Sequence, residues 1–259
     1  MFKRAITLLA LLLCTSPAAI AQDAGNQGFT AHGTMVAQVV FSGTKINLGG
    51  DIAMMSRGQQ LRFDLLRLSI PGSEPTLNAL LTQFLPQGGI SAVLDQTTGN
   101  TTVWSEARRK FYVFAGNKSQ VAAPSASSAS ALPGPAGSIV QMLESGKVIA
   151  GYTQFSESIN MTGRSTVNGH PASNIHVQLR TQKRGGKLTD LVGDLSLAED
   201  AGYLPVRINA TDRASHMSAN INFTSLTPTA PDPGVFNVPS GYAQASDPSE
   251  VFGAGIPHP

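Results

Sequence analysis

The sequence is poor in the residues that staple, charge or catalyse. Its single cysteine is Cys14, so from Thr15 onward no disulfide can form and no thiol can serve as nucleophile or metal ligand. Charged residues make up 13% of the chain and aromatic residues 6%, with one tryptophan, so the fold must stand on aliphatic burial. One long apolar run exists, "AITLLALLLC", placed behind Lys3 and Arg4 and ahead of "SPAAIA". A basic start, a short apolar stretch and a small-x-small site describe a secretory signal peptide cut after Ala21, and the run is too short to span a bilayer. Cys14 as a lipid-attachment site is the alternative, but large Leu13 stands where such a site needs a small residue. Residues 1–21 are therefore read as signal and 22–28 as a flexible segment. Removing Lys3 and Arg4 takes the basic residues from 18 to 16, against 16 acidic ones, so the remaining chain is formally neutral. Neutrality argues against nucleic acid, and the densest basic cluster, "ARRK" at 107–110, reads as a solvated turn.

Reactive constellations are equally scarce. No G-x-S-x-G elbow occurs. His32, His170, His176, His216 and His258 are scattered without metal-ligand spacing, so no metal and no cofactor is expected. Asp190, Asp194, Glu199 and Asp200 lie along one strand and its end, where two could face one side. Acid pairs flanking a cleft suit glycoside hydrolysis, which keeps a hydrolase as a remote reading. A solvated strand face explains them more simply. The expectation is a protein without catalytic residues. Five N-x-S/T sequons matter only in a eukaryotic source.

What is present is alternation. "FTAHGTMVAQVVF", "TKINLGGDIAMM" and "QQLRFDLLRLSI" have period 2, with Ile46, Leu48, Ile52 and Met54 on one parity. Ser42-Gly43 and Arg57-Gly58 supply turns, and "ISAVLDQTTGNTTVWS" reads as a hairpin followed by "KFYVF". Between them, "SEPTLNALLTQFLPQGG" predicts a helix over 73–85, with Ser73 as N-cap, Pro75 in its first turn and Gly88-Gly89 after its end. Leu77, Leu80, Leu81, Phe84 and Leu85 form one apolar stripe on it. Residues 116–137, rich in Ala, Ser, Pro and Gly, read as a mobile loop, and "SIVQMLESGK" from Ser138 as a shorter helix. Strands resume through "HMSANINFTSL", and 244–259 reads as a disordered tail. The fold class is mainly β with α (α+β): a curved open antiparallel sheet, a half-barrel of about ten to eleven strands, covered by one or two helices in a single domain over 29–243.

The order "QLRFDL", "AVLDQTTGNTTVW", "RRKFYVF", "VNGHPASNIHVQL", "GYLPVRI" and "DPGVFNVPSGY" resembles that of the LolA/LolB-like superfamily, from about Phe29 to Tyr242. In that superfamily an open half-barrel is closed by helices, and its carriers take lipoproteins across the periplasm by holding their acyl chains. The resemblance implies a groove lined by Ile46, Leu48, Ile52, Met54, Leu61 and Phe63 under a lid bearing Leu77, Leu80, Leu81 and Phe84. Arg57 stands where carriers often have an arginine that latches the lid, although Gly58 replaces the proline that usually follows. The expected protein is a periplasmic monomer, neither an enzyme nor membrane-spanning, whose partner is the acyl chain of a lipid or lipoprotein. An envelope protein-interaction or sensor module, with a protein partner and no lipid cargo, is the alternative.

Overall fold

The computed structural model describes residues 28–41, 44–70, 89–95, 97–98, 100–115, 152–183, 188–201 and 203–252. The expected signal peptide, the helix over 73–85, the loop 116–137, the helix from Ser138 and residues 253–259 lie outside them.

Twelve strands form one sheet: β1 (Gly28–Phe41), β2 (Thr44–Arg57), β3 (Gln60–Ser69), β4 (Ile90–Asp95), β5 (Asn100–Ser105), β6 (Lys110–Phe114), β7 (Tyr152–Val167), β8 (His170–Lys183), β9 (Leu188–Ala198), β10 (Leu204–Asp212), β11 (Met217–Thr227) and β12 (Ala243–Gln244). Their spatial order is β12-β6-β5-β4-β3-β2-β1-β11-β10-β9-β8-β7, so the sheet is open, with β12 and β7 at its edges. All neighbours are antiparallel except β12 and β6, which run parallel. Two meanders, β1 to β6 and β7 to β11, join where β1 pairs with β11. The connection from β6 to β7 consequently links opposite ends of the sheet.

The strand count corrects the expected ten to eleven. The additional strand is two-residue β12, which carries no alternating apolar pattern. It exists because the backbone N–H groups of Ala243 and Ala245 donate to Arg109 O (2.9 Å) and Phe111 O (2.7 Å). The tail expected to be disordered from 244 is likewise folded as far as described: β12 is followed by the one-turn helix α1 (Ser249–Phe252), whose Val251 and Phe252 are buried. The signal was short. Pro248 opens the turn, Asp247 accepts from the Ser249 N–H at 2.7 Å, and Glu250 reaches back to the Asp247 N–H at 3.2 Å, which is a capping box.

Period 2 sorts the sheet into two faces. Ile175, Leu195, Ile208, Ile221 and Met35 lie directly opposite one another on β8, β9, β10, β11 and β1, and all five are buried. Two rows along, Ala31, Met54, Phe63, Ala92, Val103 and Tyr112 continue the same face from β1 to β6. The opposite face carries the row Asn160, His176, Asp194, Asn209 and Asn220. Burial of one face per strand fixes the register, because a one-residue slip would turn the apolar set into water. Gly33 on β1, beside the bulge at Thr224 of β11, is required by close approach: a Cβ there would sit 2.2 Å from Asn222 O.

After β11 the chain makes a clip around the sheet edge. Residues 231–242, including a 3₁₀ turn at Pro233–Phe236, run across the polar face of β2 to β6, where Phe236 packs with Val93 and Trp104. β12 passes the β6 edge, and Ala245, Val251 and Phe252 then pack on Val103, Ile90, Ala92 and Tyr112. These are apolar-face residues, since Ala92 stands opposite Phe63 in the register. The clip thus holds β4 to β6 from both sides.

Candidate functional site

The apolar face is the candidate binding surface. Ile52, Met54, Leu61 and Phe63 meet in one cluster with Phe29, Ala31, Met35, Ile208, Ile221 and Phe223, on strands from both meanders. Leu48 is buried further along the same face of β2, beyond Gly50, and Ile46, half-buried, follows it. The six residues proposed from sequence as a groove therefore share one face. Ile52 and Met54 are each 1% exposed, so they meet a ligand only if what covers them moves. Leu77, Leu80, Leu81 and Phe84 lie outside the described residues.

Arg57 is placed at the end of β2, and its guanidinium Nη1 donates to Pro231 O at 2.6 Å. Among the described residues its partner is the C-terminal clip. Arg62 makes the companion contact, donating through Nη1 to Val235 O at 2.5 Å and lying 5.1 Å above the Trp104 ring. Its Nε donates to both carboxylate oxygens of Asp64, at 2.8 and 3.0 Å. Sequence reading passed over Arg62 and Asp64 because alternation puts them on the face expected to be wet. The signal available was a pair of opposite charges at i and i+2, which share a strand face.

The carboxylates considered for hydrolysis are dispersed into cross-strand pairs. Asp190 accepts from Arg180 at 3.4 Å, Asp194 is 2.7 Å from His176 Nδ1, and Asp200 is 3.0 Å from His170 Nδ1. Glu199 is bonded by Arg164 (2.9 Å) and by the Ser173 hydroxyl (2.7 Å). These pairs lie along the β7–β9 side of the sheet, each carboxylate held by its own basic partner. Among the described residues no three His, Cys, Asp or Glu side chains gather to hold a metal ion. No described helix is long and apolar enough to cross a membrane.

Among the described residues, Glu250 is a strongly perturbed carboxylate. Lys110 beside Glu250, with the Ser246 hydroxyl and N–H donating to it, lowers the Glu250 pKa from 4.5 to about 2. Because the folded value is depressed, this contribution to stability is present above the unfolded value and is lost as pH falls toward 2. Amide exchange in residues 246–252, corrected for intrinsic rates, is therefore expected to stay slow from pH 7 to about 4.5 and to accelerate between there and pH 2. Glu250→Gln is expected to exchange faster at pH 7 and to lose that acid-dependent step. Equal protection in the two proteins at pH 7 would remove the carboxylate from the clip's anchorage.

No family model matches the chain, and no curated protein matches it. Among solved structures it is similar to an uncharacterized conserved protein from Thermus thermophilus, at 10% identity and a TM-score of 0.42, over 93% of this chain and 98% of that one. It is similar to the MucA/MucB complex structure from Pseudomonas aeruginosa at 17% identity and a TM-score of 0.38, over 89% of this chain and 61% of that one. A putative outer membrane lipoprotein-sorting protein domain from Vibrio parahaemolyticus is similar at 11% identity and a TM-score of 0.26, over 88% of this chain and 95% of that one. At these identities and TM-scores the likenesses assign the chain no function.

Proposed function

We propose that this chain is a secreted, non-enzymatic binding protein of the periplasm that holds the acyl chain of a lipid or lipoprotein against the apolar face of a LolA-like half-barrel. The observation that supports the reading is the one-sided apolar face of an open sheet. It runs from β8 to β6, and the one described helix, α1, packs at its β4–β6 end. Ile46, Leu48, Ile52, Met54, Leu61 and Phe63 line the site. The amphipathic stretch 73–85, through Leu77, Leu80, Leu81 and Phe84, is its movable cover. Met54 suits varied apolar shapes because the thioether chain is flexible. Burying about sixteen methylenes at roughly 0.8 kcal/mol each supplies on the order of 10 kcal/mol gross. Association and ordering cost about 4–15 kcal/mol, a range that spans this gain, so any net affinity is modest, as a releasing carrier needs.

The test is native mass spectrometry of the secreted protein prepared without detergent, followed by titration with a fluorescent fatty acid. A reproducible lipid adduct, or saturable uptake, is expected. Leu81→Asp is expected to weaken uptake about tenfold or more while the far-ultraviolet circular dichroism is unchanged, since a carboxylate resists burial under a lid. A clean apo mass with no uptake overturns the reading in favour of an envelope protein-interaction or sensor module. That second reading has its own observation: β7 is an edge strand whose residues from Asn160 to Thr166 are all exposed, a template onto which a partner strand could add.

A further inference from the structure

We infer that Phe252, backed by Val251, is the end wall of the apolar face and sets the length of acyl chain that the site accepts. This rests on the acyl-binding reading above and deepens it. The register carries the geometry. Leu61, Phe63 and Leu65 on β3 stand opposite Leu94, Ala92 and Ile90 on β4, and Ala92 stands opposite Val103, which stands opposite Tyr112. The face that begins with Ile52 and Met54 therefore continues without a change of side to Val103 and Tyr112 near the sheet edge. There it stops, because Ala245, Val251 and Phe252 have come around β12 and packed on it. Val251 is fully buried and Phe252 is 7% exposed.

The wall is anchored independently of its apolar contacts. Lys110 on β6 pairs with Glu250, whose other oxygen accepts from the Ser246 N–H (3.0 Å), the Ser246 hydroxyl (2.7 Å) and the Asp247 N–H (3.2 Å). The capping box fixes the turn that presents Phe252, and the ion pair fixes that turn to the sheet. A bulky ring held in this way at one end of an apolar lane acts as a stop. A chain lying along the lane from Ile52 toward Ala92 can lengthen only until it meets the ring. Small Ala92 takes up little of the lane, whereas the phenyl group in the same cluster closes that end.

The test is a chain-length profile. Dissociation constants for saturated fluorescent fatty acids of different lengths are measured by titration on the secreted wild type and on Phe252→Ala, Phe252→Leu and Phe252→Trp. Each methylene gained or lost in an apolar site changes affinity about fourfold. Removing the ring opens room for about two methylenes, so Phe252→Ala is expected to move the optimum to longer chains and to raise the long-to-short affinity ratio by roughly tenfold or more. Phe252→Leu moves it the same way by less, and Phe252→Trp moves it toward shorter chains. A structural loss alone would weaken all lengths together and leave the ratio unchanged. If the wild type takes up fatty acid and none of the variants shifts the ratio, the end-wall assignment is overturned while acyl binding stands. If the wild type takes up no fatty acid of any length, the acyl-binding reading itself falls and the inference with it. Should Phe252→Ala fail to fold, the opposed shifts of the leucine and tryptophan variants decide the question.

Discussion

Replacing Asp64 by alanine is expected to lower the free energy of unfolding by about 3 kcal/mol or more, read from urea denaturation. The reason is the charge left behind. The Asp64 side chain is 4% exposed and that of Arg62 20%, so the pair is held mostly out of water. With the carboxylate gone, the guanidinium keeps the Val235 carbonyl, a 3.4 Å contact to the Ser91 hydroxyl and the Trp104 face, but no counter-charge. Breaking a buried pair by removing one partner costs more than the pair contributes, because the survivor must be desolvated alone. The double variant Arg62→Met with Asp64→Leu is therefore expected to lie within about 1–3 kcal/mol of the wild type, the remaining cost being the unpaired Val235 carbonyl. A loss below about 1 kcal/mol in Asp64→Ala would place the pair in the class of solvated surface bridges.

That pair shows where reading from sequence stops. Alternation along β2 and β3 correctly puts Ile52, Met54, Leu61 and Phe63 on one face, because period 2 is local and each strand carries its own record of burial. The same alternation puts Met55, Arg62 and Asp64 on the other face. Whether that face is wet depends on a segment about 170 residues away that lies across it. The edges of the sheet are hidden for the same reason: β6 and β7 follow one another among the strands yet end at opposite sides, and the β1–β11 pairing is a long-range contact. The clip left only short marks. "DPSE" at 247–250 is a helix start with a purpose only if Val251 and Phe252 have somewhere to go, and their partners Ile90, Val103 and Tyr112 lie some 140–160 positions earlier in the chain. The amphipathic stretch 73–85 has the opposite character. Its stripe is plain in the sequence, and it enters the site through the proposed function alone.

Phe236→Ala is the second large effect, and the clip's two-sided grip determines how it will show. Phe236 is 4% exposed and packs on Trp104 and Val93, and truncating such a ring costs about 3–5 kcal/mol where the surroundings cannot collapse into the space. A terminal segment has a cheaper response than global unfolding, which is to undock locally. Arg57 and Arg62 hold the segment only through carbonyls, at Pro231 and Val235, and neither bond replaces the lost apolar contact. On the apolar face, however, Ala245, Val251 and Phe252 keep their own partners, and Lys110 keeps Glu250. Amide exchange is therefore expected to rise by roughly a hundredfold or more at Val235 and Asn237, whose N–H groups bond Asp232 O and Gly234 O, and by less than about tenfold at Ala245 and Phe252. Trp104, the chain's one tryptophan, is 2% exposed beneath this ring, so its emission should move to the red as the ring is removed. Unchanged emission would mean that Phe236 is not what keeps water from Trp104. Equal acceleration on both sides would mean that the clip releases as one piece, with the edge strand β12 unable to hold the wall at Phe252 once the polar face has let go.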